Sequence, residues 1–444
     1  MYDTIFAPIT PIGPSAVAVF RVSGRNSGCI LKSLIKNKKL PIKRKLILKK
    51  IYYPKVKKEV LDICLICWMP KPNSFTGEDC FEIHCHGGNA TSQAFISVFS
   101  KIKGLRFAEA GEFSQRALIN GKIDLIKAEA INEIIIAETE KQRNLSIKQL
   151  NKGLTIPVNL WREEMINALS KIEATIDFSD EDGVPIQINI DKDLKKILKQ
   201  IRVVLKEGDR YNLISIGLKV AFTGPPNSGK SSLFNYIIKK EKSIVTKIPG
   251  TTRDVIEKKI SYKGYPVIFS DTAGIRKTNS LIEKEGIKKA IKATKEADLV
   301  LNVNDITKIE KKKTKRNLKH IWNVYNKIDK DQQSQRKKKL VRKNTFLVSA
   351  KTGDGIEELL KSIHLHILNK TKVSENENYF YANARQKNDL EKALNNIHSA
   401  INEKNEEIIA EYLRASINNL ERILGKVDVE DVLGNIFSNF CIGK

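Results

Sequence analysis

Over residues 1–118 the apolar positions fall into short runs, Val17 to Val22, Leu61 to Met69 and Cys80 to His84, separated by turn-forming stretches such as Thr10-Pro11-Ile12-Gly13 and Pro70-Lys71-Pro72-Asn73. That rhythm predicts strands in a small α+β domain. From about Ser114 the period lengthens, and Ala117, Leu118, Ile123, Ile126, Ala130, Ile131, Ile134 and Ile135 recur at three- and four-residue steps, the spacing of a helix face. Long helices are predicted to about Arg210, with an interruption near Asp182-Gly183-Val184-Pro185. A strand pattern opens at Leu218-Lys219-Val220-Ala221-Phe222, strand and helix alternate to about Leu368, and Asn388 to Phe437 is helical again. The pattern predicts a multidomain chain: an α+β domain over 1–118, a helical domain over 119–212 and 372–444, and an α/β domain over 213–371 inserted into the helical one.

A chain of 444 residues exceeds what one hydrophobic core supports, which agrees with that division. Charge changes the picture further: 78 Lys and Arg against 51 Asp and Glu leave +27, enough to attract a polyanion such as nucleic acid. Solubility or a lysine-biased composition is the alternative source of the same excess. The charged runs at 308–316 and 336–343 lack interleaved aromatics and read as solvated loops. No apolar run is long enough to span a membrane, and Met1-Tyr2-Asp3 begins no signal pattern, so a soluble, cytoplasmic protein is expected. Six cysteines, at 29, 64, 67, 80, 85 and 441, are too few and too clustered for a disulfide framework, and reduced thiols are expected.

The chemistry is densest after the strand at 218. Gly224-Pro225-Pro226-Asn227-Ser228-Gly229-Lys230-Ser231 follows a predicted strand and opens a helix, the context of a phosphate-binding loop. There the backbone N–H groups cradle phosphate, Lys230 reaches the β- and γ-oxygens, and Ser231 holds Mg²⁺, with Ser232 next in the helix. Asn326-Lys327-Ile328-Asp329 reads the base, because a carboxylate accepts from both N1–H and the exocyclic amine of guanine; the nucleotide is GTP. Ser349-Ala350-Lys351 follows the next strand and brings a backbone N–H to the guanine carbonyl. Asp271-Thr272-Ala273-Gly274 ends a strand, with a carboxylate behind the metal and a glycine at the γ-phosphate.

Many GTPases orient the attacking water with a Gln directly after that glycine, but here the residue is Ile275, whose alkyl chain cannot. Glu283 is the candidate replacement, its alternative being an exposed Glu at a helix start. Arg253 could act as a finger, but Asn227 in the phosphate loop favours a monovalent cation. That ion would be held by Asn227 with groups of the segment Thr246-Lys247-Ile248-Pro249-Gly250-Thr251-Thr252. Thr246, Ile248 and Thr251 are the further potassium contacts expected, and Thr252 joins Ser231 on Mg²⁺.

The chain ends Phe440-Cys441-Ile442-Gly443-Lys444. Lys444 is wrong for a prenylation box, which leaves a reactive tail that folds back into a site, or a frayed end, and the apolar residues before Cys441 stand against fraying. Cys80, His84 and Cys85 invite a zinc reading, opposed by their alternation across the two faces of one strand. Cys64 and Cys67 lie in an apolar run and read as core.

Taken together, Asp3-Thr4-Ile5, Arg21-Val22-Ser23-Gly24, Asn73-Ser74-Phe75-Thr76-Gly77-Glu78-Asp79, His86-Gly87-Gly88, Gly111-Glu112-Phe113-Ser114, Ala128-Glu129-Ala130, the nucleotide motifs and the terminal Cys-Ile-Gly-Lys carry a resemblance. The sequence resembles the MnmE (TrmE) family of bacterial and organellar tRNA modification GTPases, in the TrmE-Era-EngA-YihA-Septin-like class, over essentially its whole length. The resemblance implies a folate-binding-like N-terminal domain in which Arg21, Glu82, Lys122 and Lys444 contact a 5-formyltetrahydrofolate-type ligand. It also implies a tail that returns to that site with Cys441 active in the modification. A homodimer, potassium-stimulated hydrolysis and a complex with the FAD-dependent MnmG, acting together on carbon 5 of the wobble uridine, are further implications. A regulatory GTPase of the ribosome-assembly kind shares the nucleotide motifs, but leaves the N-terminal domain and the tail without a purpose.

Overall fold

The computed structural model describes residues 3–54, 59–177, 190–240, 256–271, 294–308, 320–330, 344–371 and 380–427, with 434, 436–438, 440 and 443 in the tail. Its chain forms two compact units, one of residues 1–132, 152–198 and 388–444, the other of residues 133–151 and 199–387.

The first unit is built on a six-stranded sheet in the order β3-β4-β5-β2-β1-β6. Its strands are β1 (Thr4–Pro8), β2 (Ser15–Ser23), β3 (Leu46–Tyr52), β4 (Val60–Met69), β5 (Cys80–Gly87) and β6 (Leu105–Phe107). The pairing is antiparallel except for β1 with β6. Alternation sends Phe20, Val22, Ile66, Trp68, Phe81 and Ile83 to one face, where they bury against α1 (Ser27–Ile35) and α2 (Asn89–Ser100). Phe20 stacks on Phe95 at 5.4 Å between centroids, and Phe99 meets Phe20 edge-on. The same register leaves Arg21 and Glu82, directly opposite each other on β2 and β5, on the other face. Three strand runs of the sequence reading are thus β2, β4 and β5. β1 and β3 escaped it for physical reasons: β1 is five residues buried almost throughout, and β3 is an edge strand that exposes Leu46 and Leu48.

Helices α3 (Glu112–Ile119), α4 (Leu125–Ile136), α5 (Glu140–Lys152), α6 (Thr155–Asp177) and α7 (Asp191–Ser215) follow. In the first unit α6 packs along α11 (Glu406–Leu424), tied by Arg162 to Glu421 at 2.6 Å and Arg414 to Glu173 at 2.7 Å. Asn405 caps α11 by accepting from the N–H groups of Glu407 and Ile408. Helix α10 (Ala384–Asn402) precedes it.

The second unit holds a six-stranded sheet in the order β12-β11-β10-β7-β9-β8. Its strands are β7 (Leu218–Thr223), β8 (Ile256–Tyr262), β9 (Tyr265–Asp271), β10 (Leu299–Asp305), β11 (Ile321–Asn326) and β12 (Thr345–Leu347). All are parallel except the edge strand β8. Leu218, Val220, Phe222, Phe269, Leu301 and Val303 form its centre with α8 (Lys230–Lys240) and α9 (Ile356–Thr371). Such continuous apolar strands belong to a sheet covered on both faces. Helix α7 runs five residues past the expected end at Arg210, and α9 three past Leu368, the usual uncertainty of a helix end read from periodicity.

Candidate functional site

In the second unit the phosphate loop leaves the C-terminal end of the central strand β7 and enters α8. That turn needs glycine at two points: a Cβ on Gly224, at φ 129°, would sit 2.0 Å from the Val303 carbonyl oxygen, and one on Gly229, at φ 90°, 2.2 Å from Asn326 Nδ2. Lys230 Nζ donates to the carbonyls of Gly224 and Pro225 at 2.9 and 2.8 Å. Burial lowers the pKa of its ammonium group against the upward pull of Asp271, which ends β9 and is itself buried. The buried Ser228 Oγ has no hydrogen-bond partner among the described residues, a donor suited to phosphate oxygen. Ser231 and Ser232 stand exposed in the first turn of α8. A loop with blocked Cβ positions, a withdrawn lysine and an orphan hydroxyl fits a polyphosphate.

Asn326, at the end of β11, ties this loop to the base-reading loops. Its Nδ2 donates to the Ser228 carbonyl at 3.1 Å, while its Oδ1 accepts from the N–H groups of Ala350 at 3.0 Å and Lys327 at 2.8 Å. Lys327, in the left-handed conformation at φ 70°, reaches back to the Asn227 carbonyl at 2.7 Å and to Asp305 Oδ2 at 2.6 Å. Burial pushes the Asp305 carboxyl up, but Lys327 and Thr307 outweigh it and hold it below the usual carboxylate range. Asp305 was not singled out in the sequence, and its only signal is its place at the end of a parallel strand. Asp329 accepts from Ser349 Oγ at 2.6 Å, and that bond is the main cause that lowers the pKa of its carboxyl. Ser349 is buried and also accepts from the N–H groups of Lys351 and Thr352. Residues 227–232, 271, 326, 327, 329 and 349–351 therefore gather at one end of the sheet.

In the first unit, Arg21 donates from Nε and Nη2 to Glu82 Oε1 at 2.9 and 2.8 Å. Its guanidinium lies over the rings of Phe75 and Phe113 at 5.0 and 5.7 Å, and Nη1 is buried with no hydrogen-bond partner among the described residues. Glu82 Oε2 is 3.5 Å from His84 Nε2. Phe75 belongs to the loop 73–79, which Ser23 holds through Thr76 and Glu78, Arg116 through Glu78, and Asn120 through the Thr76 carbonyl. Lys122 packs its stem against Gly77 of that loop. An unpaired guanidinium N–H beside aromatic rings suits an anionic, planar ligand. Phe75, Phe113 and Arg116 carry roles that motif matching alone did not assign.

Cys80 and His84 share the face of Glu82, whereas Cys85 is buried on the opposite face and donates from Sγ to the Ala18 carbonyl. Burial pushes the Cys80 thiol up to about 12 and that of Cys85 up to about 11. Among the described residues no group of three His, Cys, Asp or Glu side chains can hold a metal ion. Cys64 is core, and Cys67 is half-buried on the Glu82 face.

The tail packs in the first unit. Phe437 and Phe440 stack edge-on at 4.9 Å and bury against Leu125 and Ala128. Gly443, at φ 100°, lies so close to Pro8 and Ile9 that a Cβ would be 2.5 Å from the Pro8 carbonyl oxygen. Cys441 and Lys444 lie outside the described residues, as do Thr246–Thr252, Arg253, Thr272–Gly274, Ile275 and Glu283.

A family model described as GTP-binding protein TrmE N-terminus matches residues 4–122, and one described as MnmE helical domain matches residues 125–441. The chain is 37% identical over 458 residues to the tRNA modification GTPase MnmE of Agrobacterium fabrum, covering 100% of this chain and 99% of that one. Against the tRNA modification GTPase MnmE of Fervidobacterium nodosum identity is 39% over 453 residues, with 100% and 98% covered. The protein of that name from Pelagibacter ubique is 41% identical over 472 residues, with 99% and 100% covered. With both of its described units inside these full-length matches, the chain belongs to the MnmE family of tRNA modification GTPases.

Proposed function

We propose that this chain hydrolyses GTP and, with an FAD-dependent partner of the MnmG type, adds an aminomethyl or carboxymethylaminomethyl group to C5 of uridine 34 in certain tRNAs. The observation that carries this reading is the continuous link from the phosphate loop through Asn326 to the Ala350 N–H, which couples the grip on phosphate to the recognition of the base. Lys230 and the loop N–H groups would hold the β- and γ-phosphates, Asp329 the guanine N1–H and amine, and the Ala350 N–H the guanine carbonyl. Ser231 and Thr252 would hold Mg²⁺, and Asn227 with Thr246, Ile248 and Thr251 would hold K⁺; these cations supply positive charge at the phosphates when bound. Glu283 would position the attacking water. Conformational cycling driven by hydrolysis would couple this site to the tRNA chemistry.

Arg21, Glu82, Lys122 and Lys444 would bind a reduced folate of the 5-formyltetrahydrofolate type, next to Cys441. The packing of Phe437, Phe440 and Gly443 supports a tail that reaches the N-terminal sheet. A cytoplasmic homodimer is part of the same reading. It is supported by Leu46, Leu48, Ile63 and Leu65, which stand 51, 63, 47 and 41% exposed across β3 and β4. The three-part division into residues 1–118, 119–212 with 372–444, and 213–371 is kept as the functional division.

The test is tRNA nucleoside analysis in cells that carry only a variant, with GTP turnover measured on the purified protein in K⁺ and in Na⁺. Cys441→Ser is expected to abolish the modified wobble uridine and leave turnover intact, whereas Glu283→Ala lowers turnover by about two to three orders of magnitude with GTP binding retained. Normal modified uridine with Cys441→Ser, or equal turnover in both salts, would overturn the corresponding step.

A further inference from the structure

The positive charge of this chain is not spread in proportion to length. Between Asp3 and Glu59 there is no acidic residue, while residues 4–58 hold 14 Lys and Arg, so one-eighth of the sequence carries about half of the net +27. A composition merely rich in lysine would scatter its excess, and a solubilising surface intersperses both signs. Within this stretch the described structure concentrates cations on the segment that joins α1 to β3 and on β3 itself. Lys36, Lys38, Lys39, Lys43, Arg44 and Lys45 are all exposed, followed by Lys49 and Lys50 on the strand. Lys38, Lys39, Lys43, Arg44, Lys45, Lys49 and Lys50 make no ion pair among the described residues.

The segment is fixed in shape. Lys36 ends α1 in the left-handed conformation and bonds back to the Lys32 carbonyl, Asn37 accepts from the Lys39 N–H, and the Arg44 N–H donates to the Trp68 carbonyl at 2.7 Å. Lys36 Nζ sits 4.6 Å from the centre of the Tyr52 ring. Lysines on an edge strand also guard against strand addition, and that accounts for Lys49 and Lys50. It does not account for Lys38, Lys39, Lys43 and Lys45, which precede the strand.

We infer that the α1–β3 segment forms a phosphate-binding surface for RNA, the place where this chain grips the backbone of its tRNA. The inference rests on the tRNA reading above and gives that reading a location. Clustered, unpaired, exposed cations on a held backbone recognise a line of phosphates by charge and spacing, with no need of base contacts. Ile42 is 64% exposed among these lysines, so an anionic lipid surface is the competing partner. The absence of acidic residues over positions 4–58, in a chain of a tRNA-modifying family, favours RNA.

The experiment measures binding of the full-length chain to an unmodified tRNA transcript across a salt series, for wild type, K38A/K39A/K45A and a control lacking three exposed lysines of the second unit, K206A/K239A/K361A. The first variant is expected to lose affinity about tenfold or more and to lower the slope of log K against log salt by about one per lysine, with the control near wild type and GTP turnover unchanged in both. Equal losses in both variants would reduce the effect to net charge and overturn the surface. Wild-type binding with an unchanged slope in K38A/K39A/K45A would overturn the surface and leave the tRNA reading standing. No binding by wild type would overturn both. Loss of binding to phosphatidylserine-containing vesicles, with tRNA binding untouched, would assign the surface to membrane.

Discussion

The nucleotide loops of the second unit and the Arg21–Glu82 cluster proposed as the folate site of the first are built by different means. At the ends of β7 and β11 the work is done by backbone: N–H groups, carbonyls and glycines whose positions are fixed by Val303 and Asn326. At the N-terminal sheet it is done by side-chain charges that reach across strands and lean on aromatic rings. A backbone site tolerates change in most of its side chains but none in its few specifying groups. A side-chain site depends on a chain of partners extending well beyond the ligand, here from Arg21 through Phe75 to the loop that Ser23, Arg116 and Asn120 secure.

If this contrast holds, a single atom exchange at the first site should switch its specificity without affecting the fold. Asp329→Asn replaces one acceptor by an NH₂ donor that faces the guanine donors, and Ser349 loses the carboxylate it donates to. Preference should move from GTP towards XTP by about three orders of magnitude or more, since unpaired polar groups in a specifying site discriminate strongly. Competition binding of the two nucleotides checks it, with an unchanged unfolding midpoint as the second expectation. A variant that still selects GTP would show that the base is read elsewhere.

That difference in means also explains what the sequence could and could not disclose. A phosphate loop is contiguous, so Gly224 to Ser231 declared itself through spacing, and Asn326 and Asp329 did so likewise because they lie within one four-residue motif. The Arg21 site joins residues 21, 75, 82 and 113, which only pairing register and packing bring together, and no local periodicity encodes that. Its residues were reached through family resemblance, and Phe75, Phe113 and Arg116 received their roles only from the fold. Asn326 reads in the sequence as part of the base-reading motif, and the fold adds that its side chain also bonds to Ser228, Lys327 and Ala350.

The support of the side-chain site should cost folding stability when broken. Glu112 accepts from Arg106 at 2.6 and 2.8 Å and from Arg116 at 2.8 Å, and the Arg116 side chain is only 2% exposed. Burial pushes the Glu112 carboxyl up, but its bonds from Arg106, the Glu109 N–H and Arg116 outweigh that and leave it below its ordinary value of 4.5. A depressed carboxylate contributes stability that is fully present above its unfolded pKa and fades as pH falls through the folded one. Glu112→Gln should therefore lose about 3 kcal/mol at neutral pH, because it leaves a buried guanidinium short of charge, and the loss should shrink as pH falls from the ordinary value of 4.5 through the lower folded one. Urea unfolding of both proteins at several pH values measures it, and a pH-independent difference would mean that packing rather than charge is lost.

The smallest effect expected on the fold, and the sharpest on the ligand, comes from Arg21→Lys. A lysine keeps the charge beside Glu82 but cannot place two donors on Oε1 while holding a third N–H clear of it, nor lie flat between Phe75 and Phe113. Stability should change by no more than about 1 kcal/mol, since one ionic bond to Glu82 survives. Binding of 5-formyltetrahydrofolate, followed by calorimetry on the full chain, should weaken about tenfold or more if the proposed folate site is correct, because the buried Nη1, without a partner among the described residues, is the donor that site would use. GTP turnover without tRNA should stay as it was, since the backbone site in the second unit does not draw on this pair. If folate affinity is unchanged while the unfolding free energy from urea titration falls by several kcal/mol, Arg21 belongs to the scaffold, and the side-chain site is held for the sheet rather than for a ligand.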